Sequence, residues 1–488
     1  MRNTFKYNFI LVFGILIFSI TGCEDSALTD LNIDPNQPTE VPAVNLITNA
    51  QWNLADRIWS RDLNAEWTML MVQHWAQNEY AEESRYTVDG NDFDFNWLAI
   101  FAGTGTSADG TLADLEVARR IVEADEGLNA TTKANQLAII TILRVYALHC
   151  MVDTYGDIPY AQALDPDQYP LPEYDNQAAI YDGLLSEMEA AINSMDAGGE
   201  SFGSGDIMYG GNTASWVKLA NSLMMRMAMR IVDVDAAKAS EYINKAKDNV
   251  LASNSDNGLL VFDANPALAN PLYVDAVVNN RDDFCVTDVL VEQLTNLGDP
   301  RLLVYADTNN SGDIVGMPYG LTDGEAFALK PFSSRPHPSV RTAQAPAVFM
   351  DYAEVQFLTA EAQERGILPG TPEASYAEGI TASMNYWGIT DQAAIDAYIA
   401  ANPYNAGNWK ESIGVQKWIA FYMNGPQAWA EWRRLDYPQL EVPAAATNPV
   451  IPVRLPYPIS EQTRNATNLG KVTSNPNDLS TKLWWDVN

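Results

Sequence analysis

Residues 151–160 read Met151-Val152-Asp153-Thr154-Tyr155-Gly156-Asp157-Ile158-Pro159-Tyr160 and close a long apolar run. The run covers residues 137–152 and is apolar almost all the way round a helix, which predicts a helix buried on several sides. Gly156 can adopt the left-handed conformation just past the helix end, and Pro159 restricts Ile158 to an extended backbone. We therefore expect the chain to leave a buried helix in a fixed direction.

Further helices are predicted on both sides of this run. Apolar residues recur at helical spacing in three windows, 112–122, 180–195 and 216–231. Strand-like alternation is scarce, whereas Gly, Pro and Asn cluster between the helical windows, as at 197–212, 263–282, 306–324 and 441–458. The periodicity predicts stacked helix pairs with long surface loops, although the match to the tetratricopeptide repeat pattern is poor.

Composition excludes some classes of protein. The 488 residues are 47% hydrophobic and carry 63 acidic against 29 basic side chains, a formal net charge of −34. So much apolar content rules out a disordered chain, and the length allows one large domain or several small ones. The negative charge argues against a nucleic-acid partner, because phosphate contacts require Lys or Arg.

The first 22 residues have the features of an export signal. Arg2 and Lys6 precede an apolar run at 9–20, which at ~1.5 Å per residue is too short to cross the ~30 Å core of a bilayer. The segment ends Ile20-Thr21-Gly22-Cys23, which resembles a lipobox, so we expect cleavage before Cys23 and lipidation of its thiol. The alternative is an ordinary secretory signal that happens to end near a cysteine.

The domain prediction follows from this signal. Residues 1–22 are the signal peptide, residues 23–42 an extended tether containing three prolines, and residues 43–488 a single helical domain. Glu24 and Asp25 directly after the cysteine resemble the surface-export signal of some Gram-negative lipoproteins.

Residues Tyr155–Tyr160 resemble the Tyr-Gly-Asp-Ile-Pro-Tyr signature of the SusD/RagB family of outer-membrane lipoproteins. Further stretches resemble that family's second subgroup: Asp299-Pro300-Arg301, then 350–358 with 360–366, then 416–420 with 427–429 and Arg433-Arg434, and last 454–458 with Glu461 and Asn465. Their order adds to the lipobox, and the resemblance covers nearly the whole chain after Cys23.

This resemblance implies a mostly α-helical fold of degenerate tetratricopeptide-like helix pairs, a right-handed scaffold with a loop-rich ligand-binding face. Members of the family are lipid-anchored in the outer membrane and face the cell exterior. They bind oligosaccharides, or in some members peptides, and deliver them to a SusC-like TonB-dependent transporter barrel. They are not enzymes. The signature motifs are architectural, so they supply no ligand contacts.

The residues themselves give little sign of catalysis. His74, His149 and His337 are widely separated, and no Gly-x-Ser-x-Gly elbow occurs, so neither a zinc site nor a serine hydrolase is expected. A surface glycoside hydrolase remains the alternative function, because a catalytic carboxylate pair meets in space and not in sequence. The two cysteines after Cys23, Cys150 and Cys285, are interpreted as buried thiols, although a disulfide between them is possible.

One loop resembles part of a calcium site. Residues 307–314 place oxygen side chains at alternate positions, but Pro318 stands where a bidentate Glu would be needed. A polar turn is the better interpretation, calcium binding is the alternative, and no other cofactor is expected.

Aromatic rings beside polar side chains are the candidate ligand contacts, because sugars stack C–H faces on rings while polar neighbours bind their hydroxyls. Most rings should be in the core, Trp52, Trp59, Trp67 and Trp75 among them. Two loop-like stretches differ: residues 80–97 mix rings with acids and amides, and residues 273–281 place a tyrosine near Asn and Arg. The predicted ligand contacts are Tyr80, Tyr86, Phe93, Tyr273 and Arg281.

Overall fold

Helices dominate the computed structural model, which describes residues 41–103 and 110–488. The first half contains α1 (Ala43–Ile58), α2 (Met69–Met71), α3 (Asp94–Phe101), α4 (Thr111–Ala124), α5 (Ala130–Tyr155), α6 (Gln177–Ser194), α7 (Thr213–Arg230) and α8 (Ala236–Ala246). The second half contains α9 (Pro271–Tyr273), α10 (Asp288–Leu297), α11 (Leu302–Tyr305), α12 (Asp323–Leu329), α13 (Tyr352–Glu364), α14 (Pro372–Tyr386), α15 (Gln392–Ala401), α16 (Trp409–Ala420), α17 (Gly425–Leu435), α18 (Ile459–Arg464) and α19 (Ala466–Val472). The predicted mostly helical fold is confirmed.

Shorter elements connect these helices. Two π-helical segments cover Arg61–Thr68 and Val274–Val278, and 3-10 turns cover Glu83–Arg85, Gly203–Gly205, Asn254–Asp256, Pro338–Arg341 and Ala406–Asn408. The strands are β1 (Trp75–Gln77), β2 (Gly258–Leu260), β3 (Phe284–Val286) and β4 (Ala347–Met350). Strand β1 pairs antiparallel with β3, and β2 pairs antiparallel with β4.

The helices pack as a chain of neighbouring pairs. Helix α1 lies on α4, and from α4 each helix packs against the next through α5, α6 and α7 to α8. Helix α7 also contacts α13, which packs against α14 and α16, and α16 packs against α17. This arrangement fits the expected stacking of helix pairs, since each helix buries its apolar face between neighbours.

Helix α5 lies at the centre of the first half. Among the described residues it is the one helix long and apolar enough to cross a bilayer, but 83% of its most apolar window is buried inside the protein. Gly156 follows it with φ +87°, and a Cβ there would lie 3.1 Å from the Gln177 amide and 3.3 Å from Leu483. A glycine is therefore needed both for the backbone angle and for the space.

The C-terminal end of α5 is fixed by residues far along the chain. The Asp153 carboxylate accepts hydrogen bonds from the Tyr181 hydroxyl and, at 3.0 Å, from Trp485 Nε1. Arg230 Nε lies 3.2 Å from the same carboxylate, and Trp484 N–H donates to Gln177 at 2.9 Å. Four of the six signature residues at 155–160 are themselves buried, and Asp157 and Tyr160 are half-buried.

The other family-like stretches meet through buried ion pairs. Arg226 pairs with Glu354 at 2.6 Å and Arg434 Nη1 bonds Glu361 at 2.6 Å. Arg301 pairs with Asp299 at 2.6 Å. All six side chains are at most 1% exposed. Buried charges of this kind require a partner, so Glu354 ties its stretch to α7, and Arg434 with Glu361 joins two of the stretches to each other.

Residues 43–488 form one compact unit. Within it Cys150 and Cys285 are free thiols, so no disulfide joins them. The predicted signal peptide, Cys23 with its predicted lipid, and nearly all of the predicted tether fall outside the described residues.

Candidate functional site

The β1–β3 pairing brings two predicted ligand contacts together. Strand β1 is followed by Asn78, whose N–H donates to Asp283 O at 2.7 Å and extends the ladder. Tyr80 then turns outward with φ +55° and is 62% exposed. The guanidinium of Arg281 lies 5.5 Å from the centroid of its ring. An exposed ring and a cation therefore share one surface, which we call the Tyr80 site.

Helix α12 braces the turn that carries this ring. The Ala81 N–H donates to Asp323 Oδ1 at 2.7 Å, at the start of α12. Lys330 Nζ, just past the end of α12, donates to Glu79 Oε1 at 2.6 Å. Because both ends of one helix hold the turn, Tyr80 is presented on a supported backbone despite its exposure.

Paired charges surround Arg281. Its Nη2 lies 2.7 Å from Asp283, whose carboxylate also contacts Arg61 at 3.0 Å. Arg61 in turn lies 3.0 Å from Asp275. Burial raises the pKa of Asp275 above its ordinary value, although Arg61 opposes this shift. The site thus presents hydrogen-bond donors and acceptors with little net charge, which suits a neutral, hydroxyl-rich ligand.

Tyr273 lies in α9, before the π-helical segment that leads to Arg281. Its N–H lies 3.3 Å from the Asn270 side chain that caps α9, and the residue is half-buried. It therefore belongs to the same connecting segment as Arg281 but does not form the pair that Tyr80 and Arg281 make.

The prediction for Tyr86 and Phe93 requires correction, because both rings are in the core. Tyr86 is 2% exposed, its hydroxyl accepts from Gln73 Nε2 at 3.2 Å, and burial raises its pKa to about 12. Phe93 is fully buried and its ring centroid lies 4.9 Å from that of Trp67. Neither ring offers a face to a ligand.

The structure also contains a second cleft that the sequence did not predict. It lies between α1, the start of α3 and the loop after β2, and its volume is about 1040 Å³. Trp52 lines it and is half-buried, unlike the buried Trp59, Trp67 and Trp75 with which the sequence groups it. The sequence offered one signal for this cleft, Phe95, because its ring belongs to the polar stretch 80–97. In the structure Phe95 is 42% exposed.

The 307–314 loop uses its oxygens internally. Asn309 Oδ1 accepts from the N–H groups of Ser311 and Asp313, at 2.9 and 3.1 Å. In residues 41–103 and 110–488, no group of three or more His, Cys, Asp or Glu side chains is placed to hold a metal ion.

The chain is similar to known proteins over most of its length. A family model for SusD-like proteins, described as "Starch-binding associating with outer membrane", matches residues 35–458. A comparison with curated proteins finds no match.

Solved structures agree with the fold. A chitin-binding protein is 28% identical, with 91% of this chain and 100% of that chain covered at a TM-score of 0.79. A SusD homologue from Bacteroides uniformis is 24% identical, with 91% and 99% covered at 0.76. A chitin-binding SusD homologue from Flavobacterium johnsoniae is also 24% identical, with 91% and 99% covered at 0.75. Since the family model spans most of the sequence and whole related structures superpose on it, the chain belongs to the SusD-like family.

Proposed function

We propose that this protein is a cell-surface lipoprotein that captures an oligosaccharide at the Tyr80 site and delivers it to a SusC-like TonB-dependent transporter in the outer membrane. The observation that carries the glycan assignment is the braced, 62% exposed Tyr80 ring with Arg281 beside it, in a chain whose family is described as starch-binding. The 28% identical structure is that of a chitin-binding protein, which supports the same ligand class.

A binding role is favoured over the alternative, a surface glycoside hydrolase. A hydrolase needs one carboxyl group that keeps its proton and a second carboxylate across the scissile bond. Asp283 instead pairs with Arg61 and Arg281, and Asp282 lies 2.7 Å from Arg335. Both carboxylates are thus engaged in ion pairs with arginine side chains, which suits positioning and hydrogen bonding rather than attack on a glycosidic bond.

The test is a binding and turnover assay on one sample. The purified lipoprotein is titrated with a panel of neutral and anionic oligosaccharides and peptides by calorimetry, and products are then sought by chromatography. We expect binding of a neutral oligosaccharide without cleavage. Tyr80→Ala should weaken it about tenfold by removing the stacking ring, whereas Tyr80→Phe should bind like the wild type.

Other outcomes would contradict the proposal. Cleavage abolished by one carboxylate substitution would establish the hydrolase instead, and binding of peptides alone would reject the glycan assignment. Unchanged affinity in Tyr80→Ala would move the site elsewhere on the surface.

Anchoring and partnership are tested separately. The proposed lipid on Cys23 predicts palmitate labelling of the wild type that is lost in Cys23→Ala, and retained labelling would reject the anchor. The proposed delivery step predicts that a large outer-membrane barrel co-purifies with the wild type from detergent extracts. If no such barrel co-purifies, the proposed partnership is rejected.

A further inference from the structure

The cleft beside Trp52 is distinct from the Tyr80 site. Residues from α1, from the start of α3 and from the loop after β2 line its volume of about 1040 Å³. The small cleft next to Arg281 is lined by other residues, from β1, α9 and the segment that follows it. Ligand pockets in proteins typically enclose about 300–1,000 Å³, so the larger cleft can hold an extended ligand.

Two rings form the apolar part of this cleft. The Trp52 indole Nε1 lies 3.4 Å from the carbonyl of Leu268, which ties its ring to the loop after β2. Phe95 projects from α3, and the Arg57 guanidinium lies 4.5 Å from its ring centroid. Exposed apolar side chains continue this surface, Val261 at 58% and Leu268 at 45%. Such a surface matches the C–H faces of sugar rings.

The loop at the edge of the cleft is held by its own hydrogen bonds. Asp263 N–H donates to Leu268 O at 3.1 Å, and Leu268 N–H donates to Asn265 O at 2.9 Å. Asp263 Oδ1 also accepts from Asn265 N–H at 2.7 Å. The wall of the cleft is therefore shaped before any ligand arrives, which lowers the entropy cost of binding.

The polar part of the cleft is mainly neutral. Asn45 and Gln344 are exposed amides on its lining, and Thr48 Oγ1 lies there with hydrogen bonds to backbone carbonyls of Val44 and Gly205. Amides both donate and accept hydrogen bonds, as sugar hydroxyls do. Because Arg57 is paired with Asp56 next to it, Asp263 leaves the lining slightly negative, which also disfavours an anionic ligand. With a net charge of −34 on the chain, a polyanion would be repelled.

We infer that this cleft, the Trp52 cleft, is a second saccharide-binding site for a neutral oligosaccharide. The inference rests on the proposed glycan-binding function and adds a second site to it. Two sites on one rigid body would bind a long glycan more tightly than a short one, because the second contact becomes intramolecular.

The experiment uses the purified lipoprotein and the shortest neutral oligosaccharide that binds in the panel above. Calorimetry should give two sites for the wild type, one for Trp52→Ala and one for Tyr80→Ala. Retention on the matching insoluble polysaccharide should fall at least about tenfold in each single variant. Thermal unfolding is measured alongside, and Phe95→Ala supplies a second substitution in the cleft in case Trp52→Ala is destabilised.

Each outcome separates the inference from the proposed function. One site in the wild type, lost in Tyr80→Ala and unchanged in Trp52→Ala and Phe95→Ala, overturns the second site and leaves the function standing. If the wild type has one site and only the cleft variants lose it, the Trp52 cleft binds the oligosaccharide and Tyr80 does not. If no oligosaccharide binds, both proposals fall. Leu303→Ala, an exposed residue outside both clefts, should behave as the wild type.

Discussion

The ion pair between Arg226 and Glu354 gives the sharpest stability prediction. Arg226 donates from Nε to Glu354 Oε1 at 2.7 Å and from Nη2 to Oε2 at 2.6 Å, and the two side chains are 0% and 1% exposed. The same Nη2 also donates to the carbonyl of Phe349 at 2.8 Å. The pair joins α7 to α13, so it holds the two halves of the helical stack together.

The proposed change is Glu354→Gln. Removing one partner of a buried pair costs about 3–5 kcal/mol, because the remaining charge is left without compensation. One neighbour reduces this cost: burial, and after it the charge of Glu354, raise the pKa of Asp351 to about 7. Without that charge Asp351 ionises more readily and can partly balance Arg226. We therefore expect the lower end of the range, a loss of about 3 kcal/mol at pH 8.

The assay is urea unfolding of the wild type, Glu354→Gln and the double variant Arg226→Met/Glu354→Leu. The double variant should recover most of the loss, because replacing both charges by apolar groups leaves nothing unpaired. Glu173→Gln is the control, since its partner Lys471 is 55% exposed and such an exposed, solvent-screened pair contributes little to stability. A loss below about 1 kcal/mol in Glu354→Gln, or a double variant no more stable than the single one, would refute this reasoning.

Three further predictions concern groups in the core. Because the pKa of Asp351 is raised, the folded state holds the proton of this carboxyl group more tightly than the unfolded state does. The wild type should therefore lose stability relative to Asp351→Asn as the pH rises from 4 to 7. Parallel stability curves for the two proteins across this range would contradict the prediction. Burial raises the pKa of Cys150 to about 12 and also raises that of Cys285. A protein that starts at residue 26 should therefore react with thiol reagents at pH 8 only after it is unfolded. Rapid labelling of the folded protein would contradict this prediction. Gly156→Ala should lower the unfolding free energy by about 1–3 kcal/mol, measured in urea, and no loss would show that φ +87° at this position is not needed.

Much of the fold could be predicted because periodicity reports directly on burial. The nearly uniform apolar run at 137–152 lies in α5 and is largely buried, and Gly156 caps the C-terminal end of this helix. The pairing of α7 with α13 could not be predicted in this way, because Arg226 and Glu354 meet across a sequence separation of 128 residues. Only the resemblance indicated that such motifs belong to the architecture.

The candidate site was harder to predict because exposure depends on distant packing. Tyr80 and Tyr86 both follow a short strand and sit among polar residues, yet one ring is 62% exposed and the other 2%. What separates them is the position of α12 and of Tyr319, whose ring centroid lies 6.1 Å from that of Tyr86. Trp52 shows the opposite error. Its helical spacing predicted a core residue, but the neighbouring loop leaves a cleft beside it, and Trp52 is only half-buried.

The hydrogen bond between Asp153 and Trp485 can form only late in synthesis. The acceptor lies in the central helix and the donor comes 332 residues later, so a growing chain carries α5 long before this hydrogen bond can form. Until then a carboxylate intended for the interior lacks one of its partners, which disfavours its burial. Tyr181 and Arg230 partner this carboxylate from within the first half, so the last residues of the chain complete a set of core contacts that the first half begins.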